Sequence, residues 1–343
     1  MILISSVIFL SSCVKAIHFK VKHQGGQLVV QGMITNSGGK QELHIGMTSP
    51  GERKTIPVDN AHVTIYENTD HQEDYHETDP GIYIMDGNIV KGIPANTYHL
   101  VIKLENGKEY QTIPETMPMA TGNVSAHYKL GKVKELSNAG VELTEDAVFV
   151  YADTQIPKTA KPLYLKWDVD EVYKFTQVYI PSPFNIPPPV CYVTIYPNTQ
   201  NIMLYNGAEL NTDEITDQKI ATQIINFSFY QKHNFDVYVS SITRNAYEYW
   251  KHVNEVVNSN GTIFDVPPAT VQGNVYSISN PNENVLGYFE AAVIDTSRFA
   301  MYRYEMPIPI LNPCATAAKP ECNACLLLPN STLQYPSNFD DIR

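Results

Sequence analysis

Five cysteines stand in the 343-residue chain, at positions 13, 191, 314, 322 and 325, and their surroundings point to two kinds of thiol chemistry. Cys13 closes the run Leu10-Ser11-Ser12-Cys13 behind the almost wholly apolar stretch MILISSVIFL. Small residues let an extended chain enter a peptidase cleft, and a thiol at the new amino end accepts diacylglycerol. The pattern therefore reads as a lipoprotein signal over residues 1–12, with Cys13 as the lipid anchor. An apolar stretch of about ten residues is signal-like and too short to span a bilayer. Two or three acyl chains on that anchor give stable attachment, where one chain is marginal. No Lys or Arg precedes the run, and Val14 to His18 carries no acidic residue, which leaves the face of the membrane open.

The other four, Cys191, Cys314, Cys322 and Cys325, form an even set in a chain expected to be exported. Two structural disulfides are the expectation, with three connectivities open. Cys322-Asn-Ala-Cys325 also has the spacing of a redox pair or half a zinc site, but Cys314 and distant Cys191 make a poor second half. The acidic stretch Asp70 to Asp79 carries His71 and His76 among carboxylates. It fits neither an EF-hand nor a tetrahedral site, and its expected state is a solvated hairpin tip. Asp168 and Asp170 offer an acid/base pair, yet they alternate with Trp167 and Val169 as on a half-exposed strand. Nucleophile-elbow, zincin, P-loop and dinucleotide motifs are absent from the sequence, so no catalytic residue, metal or cofactor is expected. The proline-rich loop Tyr179 to Pro189, carrying Phe184 and running into Tyr192, is the candidate binding element. Proline lowers the entropy lost on docking, and Tyr179, Phe184 and Tyr192 are anchor-type side chains.

These residues must be held by a mostly β scaffold. The chain has 22 Tyr, 23 Pro and 43% hydrophobic residues, a composition suited to strands and turns around a core. Lys and Arg number 24 against 36 Asp and Glu, which argues against a nucleic-acid partner. Strands are expected at 28–34, 61–66, 82–84, 98–104 and 109–113, with Asn106-Gly107 as a type I′ hairpin turn. Further strands are expected at 147–151, 163–172, 191–196, 224–230, 235–240, 273–278, 285–294 and 298–304. One helix is expected at about 243–258, from the spacing of Ala246, Trp250, Val253 and Val257. The implied organisation is a signal over 1–12, an anchor and linker over 13–19, a β-sandwich over 20–118, and a second β-rich domain over 119–343. The second domain ends in a disulfide-stapled segment.

Taken in order, LVVQGMITN (28–36), AHVTIYEN (61–68), PGIY (80–83), the block from Tyr98 to Pro118, YEYWKHV (247–253), the stretch from Pro267 to Ala292 and the terminal Cys-x-x-Cys resemble one family. It is a group of Bacteroidota outer-membrane lipoproteins designated domain of unknown function 4249. The resemblance implies an immunoglobulin-like or carboxypeptidase-regulatory-like N-terminal sandwich and a second β-rich sandwich. It also implies association with a TonB-dependent transporter barrel at the outer membrane. The family supplies no catalytic residues to carry over. The expected function is a non-catalytic accessory or ligand-capture subunit of such a transporter, taking a small ligand of unspecified identity. A surface adhesin and a surface hydrolase without a recognisable motif are the alternatives.

Overall fold

The computed structural model describes residues 26–49, 55–69, 71–136, 140–158, 162–178, 184, 187–196, 202–210, 212–258, 271–315, 319–336 and 339. The leader, Cys13, the linker to residue 19 and Tyr179 lie outside the described residues.

The first half supplies β1 (Leu28–Thr35), β2 (Lys40–Thr48), β3 (Thr55–Pro57), β4 (His62–Glu67), β5 (His71–Asp79), β6 (Ile82–Asp86), β7 (Thr97–Lys103), β8 (Glu109–Thr112) and β9 (Glu115–Thr116). Alternation sends Val63 and Ile65 of β4, and Tyr98, Leu100 and Ile102 of β7, into one core. Leu28, Val30, Ile34, Leu43 and Ile45 of β1 and β2 meet them there. The acidic stretch is a strand and not a hairpin tip. β5 pairs with β4 from His71 to Tyr75 and with β6 from His76 onward, so it turns the corner between the two sheets. Tyr75 is buried, while the charges that suggested a loop line the solvent side.

The hairpin at Asn106-Gly107 also differs from expectation. Gly107 alone has positive φ, at 82°, and its N–H donates to Leu104 O at 2.9 Å. Leu104 N–H in turn donates to Lys108 O, leaving a three-residue loop of type I plus bulge, in which one left-handed residue suffices.

The second half supplies β10 (Val124–Leu136), β11 (Glu142–Gln155), β12 (Tyr164–Thr176), β13 (Val190–Ile195), β14 (Met203–Asn206), β15 (Glu214–Ile224), β16 (His233–Ile242), α1 (Arg244–Asn258), β17 (Val275–Ser277), β18 (Leu286–Met301) and β19 (Ser331–Thr332). The chain is thus all-β with α1 where the helical spacing placed it. A three-stranded sheet, β10-β11-β15, packs on β12, β16 and β18 across Val148, Val150, Leu165, Trp167, Phe235 and Val237.

Two expected strands change shape. Residues 224–230 do not continue as a strand, because β15 ends at Ile224. The Asn226 side chain accepts the Ser228 N–H at 2.8 Å and caps a 3-10 turn over Phe227–Tyr230. Residues 285–294 and 298–304 are not two strands but the single β18, followed by a 3-10 turn at Arg303–Glu305. Asp295, Thr296 and Ser297 read as a break because they are polar, yet their polarity serves contacts. Thr121 donates to Asp295 at 2.6 Å, and Ser297 accepts the Ala126 N–H at 2.9 Å.

β18 joins the two halves. Leu286 to Ala292 pair parallel with β1, and Val293 to Met301 pair antiparallel with β16. Val275, Val285, Phe289, Ala291 and Val293 lie in the same core as β1, β4 and β7. Gly287 makes the junction possible: its φ is 88°, and a Cβ there would sit 2.0 Å from Val30 O.

Candidate functional site

Because β18 belongs to both halves, one sheet face runs continuously across them. On β18 alternation places Tyr288, Glu290, Ala292, Ile294, Thr296 and Arg298 on that face. Their register neighbours are Gln31 and Met33 on β1, and Asp236 and Tyr238 on β16. The helix α1 covers part of the face, packing Ala246, Tyr247 and Tyr249 against Tyr164, Ile242, Tyr288 and Ala292. Its first turn is capped by Thr243, whose hydroxyl accepts the Ala246 N–H at 3.1 Å. Beyond the helix the face opens into a cleft of about 1080 Å³, lined by Gln31, Met33, Lys40, His44, Tyr238, Thr296 and Arg298 among others.

Charge in and around this cleft is organised in rows. Arg298 Nε lies 3.2 Å from the buried Asp236 carboxylate. Asp170 on β12 stands opposite Asp236, and Asp168 opposite Tyr238. Burial first, then the like charges of Asp168 and Asp236, pushes the Asp170 carboxyl up to about 6. The sequence-flagged pair Asp168 and Asp170 is therefore part of a larger acidic row, with Asp168 exposed and Asp170 half-buried. In the cleft lining itself Arg298, ion-paired to Asp236, and Tyr238 offer groups suited to binding polar ligands, and the Asp170 carboxyl, close to titration around neutrality, lies next along the row.

The helix that covers the neighbouring part of the face is fixed by buried polar contacts. Trp250 Nε1–H donates to Glu290 Oε1. Lys166 Nζ lies 4.4 Å over the Trp250 ring and 3.2 Å from Asp168. Burial works against the Lys166 charge, but Glu290 and Asp168 outweigh it and hold its pKa above the ordinary value. Tyr288 O–H donates to Glu115 of β9, whose carboxyl is raised by burial despite that bond. These contacts tie α1, β18 and β9 into one wall.

Of the sequence-predicted binding residues, neither Phe184 nor Tyr192 lines this cleft. Tyr179 lies outside the described residues, and Phe184 is 83% exposed. Tyr192 is buried in β13 against Phe339. It borders a separate hollow of about 500 Å³ with Lys174, Lys232, Arg303 and Tyr335. The cleft residues escaped notice because each is an ordinary outward-facing strand position. The available signal was alternation along 286–301 as one strand.

The four remaining cysteines form two disulfides, Cys191–Cys325 and Cys314–Cys322. The Cys-x-x-Cys residues therefore join different partners, and that pair is not a redox dithiol. Tyr173, Phe175 and Val193 pack around both bonds. Among the described residues one trio of potential metal ligands lies within 4.8 Å of one another: His127, Asp153 and Asp217. They come from β10, β11 and β15, so no local spacing announced them. Lys129 Nζ already sits 2.7 Å from Asp217, and both His127 nitrogens face carboxylates, at 3.5 and 2.9 Å. Lys129 and His127 hold the Asp217 carboxyl below its ordinary range, as expected of a surface charge cluster.

Among the described residues no helix is long and apolar enough to cross a membrane. Among curated proteins none matches the chain. Residues 14–298 match the family described as domain of unknown function (DUF4249), a match that runs from β1 through most of β18. The chain is therefore a member of the DUF4249 family.

Proposed function

We propose that the protein is a non-catalytic binding subunit of the cell envelope, held at the outer membrane by lipid on Cys13. It captures a ligand in the β18 cleft and works beside a TonB-dependent transporter barrel, with the cleft face turned to that barrel. The observation that carries this reading is the continuous face that β18 builds from both halves, with its cleft of about 1080 Å³. Rigid strands position its polar side chains, and binding by such a face asks for no nucleophile or metal. Tethering beside a partner raises effective concentration, so weak contacts suffice. Extraction of the full chain in mild detergent tests the assembly: co-purification with a large β-barrel is expected, and a lone monomer overturns it. Cys13→Ser is expected to move the protein from the membrane to the soluble fraction, and unchanged retention contradicts the anchor.

One observation favours a second reading, surface hydrolysis: Asp170, with its pKa of about 6, faces Asp236 across the strand pair. A carboxyl of raised pKa beside a second carboxylate is the arrangement used in glycoside cleavage. Hydrolysis of a glycan panel that disappears in Asp170→Asn supports that reading; an inert wild-type chain removes it.

A further inference from the structure

We propose that the hollow between α1, β12 and β15 is a second binding site, which takes a small neutral amphiphile: an apolar chain carrying one hydroxyl. Its lining shares no residue with the β18 cleft, and it does not depend on the capture role assigned there.

The hollow sits at a break in the sheet. β16 pairs with one edge of β12 from Tyr164 to Tyr173. On the other edge β14 pairs with Tyr164 to Trp167, and β13 with Glu171 to Thr176. Asp168, Val169 and Asp170 lie between those two partners, and among the described residues no strand pairs with them on that edge. A hollow of about 550 Å³, within the range of small-ligand sites, opens here. Neighbouring strand residues point to opposite faces, yet Lys166 and Asp168 line it together with Trp167 and Val169. It therefore reaches from the α1 side of the sheet towards the core that Trp167 and Val169 share with β11 and β16.

Its walls suit an apolar chain. The helical spacing that announced α1 runs through Ala246, Trp250, Val253 and Val257. Ala246 is buried against Ile242 and Ala292, whereas Val253 and Val257 line the hollow with Trp250. Ile202 and Met203, where β14 begins, and Ile220 on β15 extend the apolar wall. Displacing water from such walls is the driving force for an aliphatic body.

The head group follows from one ion pair. Lys166 Nζ lies 3.2 Å from Asp168, and both side chains line the hollow. Asp168 and Glu290 keep the buried Lys166 charged. A carboxylate arriving here meets Asp168, and an ammonium meets Lys166, so either one brings a like charge to a pair already matched. A hydroxyl accepts from the Lys166 ammonium and donates to the Asp168 carboxylate, using both partners without adding charge.

The chain has two tryptophans, Trp167 and Trp250, and both line the hollow, so their fluorescence reports its occupation. Titration of the full chain with decanol, and separately with decanoate and decylammonium, tests the site with one chain length and three heads. A blue shift of tryptophan emission is expected, with decanol bound at least about tenfold more tightly than either charged analogue. Asp168→Asn, at a half-exposed side chain, removes the acid beside Lys166 and is expected to raise decanoate affinity relative to decanol at least about tenfold. Val257→Glu, at an exposed position, is expected to weaken decanol about tenfold without altering the unfolding midpoint. Lys132→Ala, on β10, serves as the unaffected control. No binding, equal binding of the three heads, an unchanged head preference in Asp168→Asn, or unchanged decanol affinity in Val257→Glu overturns the proposal. Residues 197–201 and 259–270 adjoin Tyr196, Ile202 and Asn258 in the sequence. The full chain is therefore the one titrated, so that a hollow already filled by the chain itself reads as no binding and overturns the proposal.

Discussion

The two disulfides close loops of very different length, and that difference fixes how unequally they contribute to stability. Cys191–Cys325 spans 134 residues and Cys314–Cys322 spans 8. Restricting the unfolded chain by loops of those lengths is worth about 5 and about 2.5 kcal/mol respectively. Cys191, Cys322 and Cys325 are 0% exposed and Cys314 is 6% exposed, so alanine leaves comparable packing defects at both bonds. The difference between the paired variants therefore isolates the loop. Cys191→Ala/Cys325→Ala is expected to lose about 2.5 kcal/mol more than Cys314→Ala/Cys322→Ala in equilibrium urea unfolding at neutral pH. The long-range variant is also expected to become sensitive to protease between residues 326 and 336, because β19 then rests on two register pairs with β13. Equal losses, or a larger loss from the short loop, refute the loop-entropy argument and its account of how the tail is held.

Other expectations follow from single positions. Asp170, raised from its ordinary 3.8 to about 6, binds its proton more tightly in the folded state, so its contribution is present at acid pH and lost as pH rises through about 6. Discounted for its partial exposure, Asp170→Asn is expected to stabilise the fold by about 1 kcal/mol at pH 8 and not at pH 4, read from unfolding midpoints at the two pH values. Gly287→Ala and Gly107→Ala both place a side chain at positive φ, but only the first meets backbone, 2.0 Å from a Cβ, while the second meets nothing within 4 Å. Gly107→Ala is expected to cost about 1 kcal/mol and Gly287→Ala clearly more, measured by denaturant unfolding; equal costs contradict the close β1–β18 approach. Thr243→Ala is expected to destabilise by about 1 kcal/mol through loss of the α1 cap, again by urea unfolding.

Much of the fold was legible where one face of an element is buried. β4 and β7 alternate cleanly because Val63, Ile65, Leu100 and Ile102 point into one core. The helix showed itself through Ala246 and Trp250, although the same stripe named Val257, which is 45% exposed. Strands with polar residues on both faces were hidden. β10 carries Lys129, Lys132 and Lys134 along a strand paired throughout with β11, and β5 buries only Tyr75 firmly. The long strand β18 was read as two because Asp295, Thr296 and Ser297 look like turn residues. Their side chains instead bond to Thr121 and Ala126 or face the cleft. That one misreading concealed the cleft, since its residues share a face only once 286–301 is a single strand. Tyr192 was found because aromatics near prolines are noticeable. Lys174, Lys232 and Arg303 were not, since they converge from β12, the turn before β16 and the turn after β18.

Site-specific photo-crosslinking in intact cells tests the central claim most directly. A photoreactive residue replaces Gln31 or Thr296 in the cleft and, as a reference, Thr222 on β15. Adducts to a TonB-dependent transporter barrel, identified by mass spectrometry, are expected from both cleft positions and not from Thr222. No barrel adduct from the cleft, or equal adducts from all three positions, contradicts the β18 face as the working surface of this protein.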